Sequence, residues 1–245
     1  MNVFAPDYRG FGDSEGIPSE PGLEIDAYAS WKWLVDNGAK PEDIVVVGHS
    51  LGTGVTASLA KRLAADGVKP RGLVLLAPFT SPRDLIETYA ILGVPILQPV
   101  QAFSAGRKFL QDWLSVEFDT LSVIQEFNAP TLIAHSHDDD DIPYEHSRTL
   151  IDKLLDPLLP VLASATDSSL SPEDFAAFTK AQGDRRDAKN ALVRKTDIPN
   201  FGTVEEFNGQ NAPKVVYVEC FWGKHIDVGM QEGVQDEIGK LFDLL

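Results

Sequence analysis

The sequence predicts an α/β fold: a doubly wound, mostly parallel sheet with helices on both faces. Three observations predict it. Five short apolar runs recur along the chain, at residues 3–5, 44–47, 73–76, 131–134 and 215–218. Four of them are continuous rather than alternating, as expected for strands covered on both faces. Segments with helical periodicity fall between them, and strand–helix alternation builds a doubly wound sheet.

The first helical segment, 23–35, places apolar side chains at Leu23, Ala27, Ala29, Trp31 and Leu34. The second, 55–63, runs on through Ala57, Leu59 and Ala60. Segments 144–155 and 234–244 are the other helices expected between or after strands. Two stretches break the rhythm within what reads as a single domain, 1–245. Residues 82–127 are helical in pattern and carry Leu85, Ile86, Tyr89, Phe109 and Trp113, which suits a helical lid insertion. Its Leu92, Val94, Ile96, Leu97, Val100 and Phe103 either line an acyl pocket or pack the lid onto the core. Residues 156–213 are rich in Ser, Asp, Asn and Pro and read as an irregular surface insertion, with a helix start or loop at Ser168-Ser169-Leu170-Ser171-Pro172.

Composition narrows the partners. The net charge of −16 repels phosphate backbones, so no nucleic-acid partner is expected, and it disfavours anionic membrane surfaces. One cysteine, Cys220, allows no intramolecular disulfide. Residues 1–10 hold Asp7 and Arg9 and do not read as a signal peptide. The longest weakly polar stretch, 91–103, is too short for a bilayer and contains Pro95 and Pro99. As given, the chain reads as cytoplasmic.

The chemical signal is Gly48-His49-Ser50-Leu51-Gly52, which follows the run Asp43-Ile44-Val45-Val46-Val47 and precedes a helical pattern. That is the strand–turn–helix context a nucleophile elbow needs. A sharp turn lifts the serine hydroxyl above the sheet, and glycines on either side let backbone approach closely. The amide of Leu51, at the start of the new helix, is the expected oxyanion donor.

A serine needs a base, and the base needs an orienting acid. In this arrangement the order is serine, acid, histidine, on loops after successive strands. Of the five histidines, His49 sits in the elbow with its side chain expected to point elsewhere. His135 and His137 end a strand, and His146 lies on the next helix. His225 follows the last strand, in Phe221-Trp222-Gly223-Lys224-His225. It is the expected base. The acid falls among Asp138, Asp139, Asp140 and Asp141, and composition alone does not choose. His135, His137 and His146 with these acids also suit a divalent metal. The serine–acid–histidine order accounts for part of that cluster without one.

Several motifs carry a resemblance. Pro6-Asp7-Tyr8-Arg9-Gly10-Phe11-Gly12-Asp13-Ser14-Glu15-Gly16, then Ile17-Pro18-Ser19-Glu20, the elbow through Gly54, and Ala77-Pro78-Phe79-Thr80 resemble the α/β-hydrolases. More narrowly, they look like the branch holding the monoacylglycerol and lysophosphatidylserine lipases. The likeness covers 1–150 and again 214–245. In that family the acid stands four residues after a strand-end histidine and four before a proline. Here that pattern is His135, Asp139, Pro143, which selects Asp139 with Asp138 as runner-up. The resemblance implies hydrolysis of a small-molecule lipid ester by Ser50, Asp139 and His225, with no metal or organic cofactor. Membrane contact would come through the substrate.

The same resemblance implies a chain lacking its first three strands, because family members carry three strands and a helix ahead of this start. The turn giving a second oxyanion donor lies there too. An upstream anchor, common in the branch, would make the complete protein one of the endoplasmic-reticulum membrane. Residues 3–5 then match the fourth strand and 44–47 the fifth. Either these two pair directly or the edge of 44–47 stays open, with Ser50 more exposed, Leu51 as the one oxyanion donor, and marginal stability or solubility. The alternative to an ester hydrolase is an inactive homologue with a non-enzymatic role.

Overall fold

The computed structural model describes residues 1–85, 118–161, 172–208 and 212–244. Among these residues six strands form one sheet: β1 (Val45–His49), β2 (Gly72–Leu76), β3 (Thr131–Ser136), β4 (Arg194–Ile198), β5 (Gly202–Phe207) and β6 (Val215–Cys220), in the spatial order β1-β2-β3-β6-β5-β4. The first four in that order are parallel, while β5 and β4 run antiparallel to their neighbours.

Period-two alternation distributes the side chains. Leu73 and Leu75 of β2, Ile133 of β3 and Tyr217 of β6 face one side. There they meet Ala57 and Ala60 of α2 (Leu51–Ala65) and Leu150, Ile151 and Leu155 of α4 (Glu145–Leu155), which follows α3 (Thr120–Val123). Val74, Leu132, Ala134, Val216 and Val218 face the other side, against Val234 of α7 (Glu232–Leu241) and Phe242 just beyond it. Every residue of β3 and β6 is buried, which is why Leu132 to Ala134 and Val215 to Val218 read as continuous runs rather than alternating ones. A third cluster packs α1 (Glu20–Asp36) on α2 through Leu23, Ala27 and Trp31 against Val55, Leu59 and Leu63. The Ser19 hydroxyl accepts from the Gly22 N–H and caps α1.

Gly72 opens β2 directly beneath the Phe242 ring. A Cβ there would lie 1.8 Å from a ring carbon. Overpacking of this kind costs about 1–3 kcal/mol. We therefore expect Gly72→Ala to lower the urea midpoint by a corresponding amount, with the m-value unchanged.

Two expectations are corrected. Residues 3–5 form no strand: Val3 is 83% exposed, and Phe4 stacks on Trp33 of α1 with ring centroids 5.2 Å apart. A short apolar run with no ladder neighbour among the described residues makes no strand. The following turn is tied instead to α1, where the Arg9 side chain and N–H all reach the Asp26 carboxylate at 2.7–3.1 Å. Among the described residues β1 is therefore bonded on one side, to β2, and Val47 is 57% exposed.

The second correction concerns residues 156–213, whose described part is not irregular; residues 162–171, with Ser168 to Ser171, and 209–211 lie outside the described residues. The described part carries α5 (Pro172–Leu192), β4 and β5, and the two strands extend the sheet as an antiparallel ribbon on β6. The polar residues of this ribbon find partners. Buried Glu205 and Glu219 both pair with Arg148 of α4, and the Tyr217 hydroxyl donates to Glu219 at 2.8 Å. In the expected lid, residues 86–117 lie outside the described residues, including Leu92, Val94, Ile96, Leu97, Val100 and Phe103. No helix among the described residues is long and apolar enough to cross a membrane.

Candidate active site

The C-terminal ends of β1, β3 and β6 open on one side of the sheet, where crevices form in parallel α/β architectures. Each end delivers one of the residues singled out by the sequence.

Ser50 stands between β1 and α2 at φ 53°, ψ −122°, a left-handed conformation rare for a residue with a side chain. Its N–H donates to the Leu76 carbonyl at 3.0 Å, and its carbonyl accepts from the Thr53 N–H and hydroxyl at 2.9 and 2.6 Å. Gly48 makes the turn possible: a Cβ there would lie 2.3 Å from the Gly52 carbonyl oxygen. Leu51 is the first residue of α2, so its N–H has no acceptor within the helix.

His225 follows β6 on α6 (Lys224–Asp227), a single turn entered through Gly223 at φ 134° and Lys224 at φ 45°. Its Nε2 lies 2.8 Å from Ser50 Oγ and its Nδ1 2.9 Å from Asp139 Oδ2. With the proton on Nδ1 donated to the carboxylate, Nε2 is free to accept from the serine hydroxyl.

Asp139, in the loop after β3, has a fully buried carboxylate. Its Oδ1 accepts from the N–H groups of Asp141 and Ile142 at 2.9 and 2.8 Å. Its Oδ2 meets His225 and also His135 Nε2, at 3.1 Å. Burial alone would raise its pKa. The bonds from His135, His225 and the Ile142 N–H outweigh that and hold it below the usual carboxylate range. For His225 burial favours the neutral ring, but the hydrogen bond and charge of Asp139, aided by Asp141, win and the pKa is raised.

The structure thus brings Ser50, His225 and Asp139 into one hydrogen-bonded row. It leaves Asp140 in solvent, 3.8 Å from the Lys224 ammonium, and turns Asp138 toward the backbone of Lys224. Two features escaped the sequence reading. His135 is wholly buried behind Asp139, fixed by Ser147 Oγ at 2.6 Å and the Ile142 carbonyl at 2.9 Å. The second is His49, whose side chain does not point away. Its Nε2 lies 2.7 Å from the His225 carbonyl oxygen, and the two rings are 5.0 Å apart. No local signal reports a contact across 176 positions, because it exists only once β6 delivers its loop.

Among the described residues the remaining histidines do not gather into one ligand set. Both nitrogens of His135 are engaged, and His137 Nε2 contacts Glu219 at 2.6 Å. His146 Nδ1 meets the Thr80 hydroxyl at 2.9 Å, and burial pushes its pKa down to about 4. Among the described residues the group whose ligand atoms do gather is Asp139, Asp141 and His225. There Asp139 Oδ2 and His225 Nδ1 already bond each other.

Comparisons agree on the fold. A model of the Alpha/beta hydrolase family matches residues 2–203. The Lysophosphatidylserine lipase ABHD12 of Danio rerio is 35% identical over 155 residues, covering 62% of this chain and 39% of that protein. Protein ABHD12B of Homo sapiens is 34% identical over 154 residues, covering 61% and 41%. The matched region therefore spans about two fifths of these curated relatives' length. Among solved structures, an alpha-beta hydrolase from Vibrio vulnificus matches with a TM-score of 0.50 at 20% identity, over 96% of this chain and 61% of that one.

Proposed function

The chain belongs to the alpha/beta hydrolase family, and from that premise we propose that it is a serine hydrolase of carboxylic esters, acting through Ser50, His225 and Asp139. The observation that carries this reading is the row Ser50 Oγ, His225 Nε2, His225 Nδ1, Asp139 Oδ2, with both links within 2.9 Å. Ser50 attacks the ester carbonyl as His225 takes its proton. Asp139 holds the ring in the productive tautomer and stabilises the imidazolium. The Leu51 N–H, at the positive end of α2, receives the developing oxyanion. His225 then protonates the departing alcohol, leaving an acyl group on Ser50. Water, activated by the same imidazole, releases the acid. None of these steps calls on a metal or organic cofactor.

For the substrate we propose a lipid ester of lysophospholipid or monoacylglycerol type. The support is the printed name of the Danio rerio relative, a lysophosphatidylserine lipase, together with the motifs at the elbow. Any membrane contact would come through such a substrate. The test is turnover by the purified chain of lysophospholipids, monoacylglycerols and p-nitrophenyl esters of graded length. We expect Ser50-dependent hydrolysis with kcat/KM rising from acetyl to longer acyl chains. A clear preference for acetyl esters would count against the lipid assignment. Covalent labelling of Ser50 by a fluorophosphonate without turnover of any ester would favour the non-enzymatic alternative.

A further inference from the structure

The acidic run 138–141 contains more than one working carboxylate. Asp138 does not reach His225, yet it bridges the two loops that have to meet for the row to form. One oxygen, Oδ1, accepts the Ser136 hydroxyl on its own strand end and the Lys224 N–H across the crevice, at 2.8 Å for the latter.

What lies at the far end of that bridge gives it weight. Lys224 sits at φ 45°, a conformation that a residue with a side chain adopts at a cost of roughly 1–2 kcal/mol. It directly precedes His225. The helix that holds both is one turn long, with no side-chain hydrogen bond at its N-cap, Gly223. Gly223 at φ 134° adds no stiffness before it. A second backbone bond, from the His137 N–H to the Cys220 carbonyl at 2.8 Å, joins the same loops further back. Ahead of the imidazole the Asp138 carboxylate grips the turn at the Lys224 N–H, while His49 Nε2 meets it one residue later, at the His225 carbonyl.

Resting on the esterase reading above, we infer that Asp138 is a positioning residue: by holding the Lys224 N–H it fixes the strained turn that presents His225 to Ser50. The carboxylate touches neither substrate nor the reacting atoms. Its loss leaves Lys224 free to relax toward negative φ, which swings the imidazole away from Ser50 Oγ. Misplacement of a catalytic group by about 1 Å costs on the order of a hundredfold.

The role separates Asp138 from Asp139 by chemistry. A residue that accepts a backbone hydrogen bond is replaced tolerably by asparagine, whose amide oxygen also accepts. A residue that must orient an imidazole N–H is not. The experiment compares Asp138→Ala, Asp138→Asn and Asp139→Asn on a p-nitrophenyl ester, with kcat and KM resolved. Asp138→Ala should lower kcat about a hundredfold with KM little changed. Asp138→Asn should stay within about tenfold of the parent, because it loses only the charge assistance of the bond. Ser136→Ala frees the same carboxylate without touching Lys224 and should lower kcat several-fold, which covers the case of an Asp138→Ala chain that does not fold. If Asp138→Asn is as damaging as Asp139→Asn, Asp138 is an orienting acid and the inference is wrong. Unchanged kcat in both Asp138→Ala and Ser136→Ala also overturns it. Failure of the esterase reading shows separately, as hydrolysis that survives Ser50→Ala.

Discussion

Replacing Ser50 by alanine should abolish covalent labelling by a fluorophosphonate and lower ester hydrolysis by about 10⁶-fold, to background. The size follows from the way the row works. Ser50 Oγ, 2.8 Å from His225 Nε2, is the atom that would carry the acyl group, and no described neighbour can take its place. The carbonyl contacts that shape the elbow come from Ser50 backbone and Thr53, so alanine keeps the turn while removing the nucleophile. His225→Ala should cost nearly as much, because a hydroxyl without its base is a weak nucleophile and groups acting as a unit do not lose activity additively. Labelling should slow in that variant rather than vanish. Measured kcat for Ser50→Ala within tenfold of the parent would falsify the assignment of the nucleophile.

The site was legible in the sequence to the extent that its signals are local. A glycine on each side of Ser50, with an apolar strand before and a helical pattern after, fixed the elbow, and the geometry at Gly48 shows why: the space a side chain would need is filled by the Gly52 backbone. His225 was found from its place after the last apolar run. The carboxylate was harder. Four adjacent aspartates look alike in composition, and what separates them is three-dimensional: Asp139 receives two backbone N–H groups and two imidazoles, Asp138 the Ser136 hydroxyl and the Lys224 N–H, and exposed Asp140 faces the Lys224 ammonium. The part of the sheet that escaped, β4 and β5, escaped for a related reason. A search for continuous apolar runs finds strands buried on both faces. Arg194-Lys195-Thr196-Asp197-Ile198 is an exposed edge strand and reads as loop. Glu205 and Glu206 in β5 conceal it further, since their charges are matched by Arg148 and Lys214 from elsewhere in the chain. The signal that was present is the turn at Pro199-Asn200, with Asn200 at φ 61° joining Ile198 to Gly202.

Asp139→Asn should lower kcat by about 10⁴-fold, while the same change at Asp140 or Asp141 leaves it within a few-fold. The reason lies in how the loop would hold the amide. Asp139 Oδ1 is pinned by the Asp141 and Ile142 N–H groups, and an asparagine would keep its oxygen there, since its NH₂ cannot accept those bonds. Its NH₂ then faces His225 Nδ1 and His135 Nε2. A donor at Nδ1 selects the tautomer with the proton on Nε2, and that ring cannot take the proton of Ser50. The pH profile gives a second readout. His225 must be neutral to act as base, so kcat/KM rises with pH through its pKa. In the parent, burial would lower that pKa, but Asp139 and Asp141 raise it above the ordinary value of 6.5, and the acidic limb falls correspondingly late. In Asp139→Asn the larger raising contribution is gone and burial remains, so the limb moves to lower pH even as the plateau collapses. Asp141→Asn removes only a neighbouring charge, so it should move the limb slightly the same way with the plateau nearly intact. Asp140, 87% exposed at its side chain, should move neither. A plateau preserved in Asp139→Asn, with an unmoved acidic limb, would place the orienting acid elsewhere in the run.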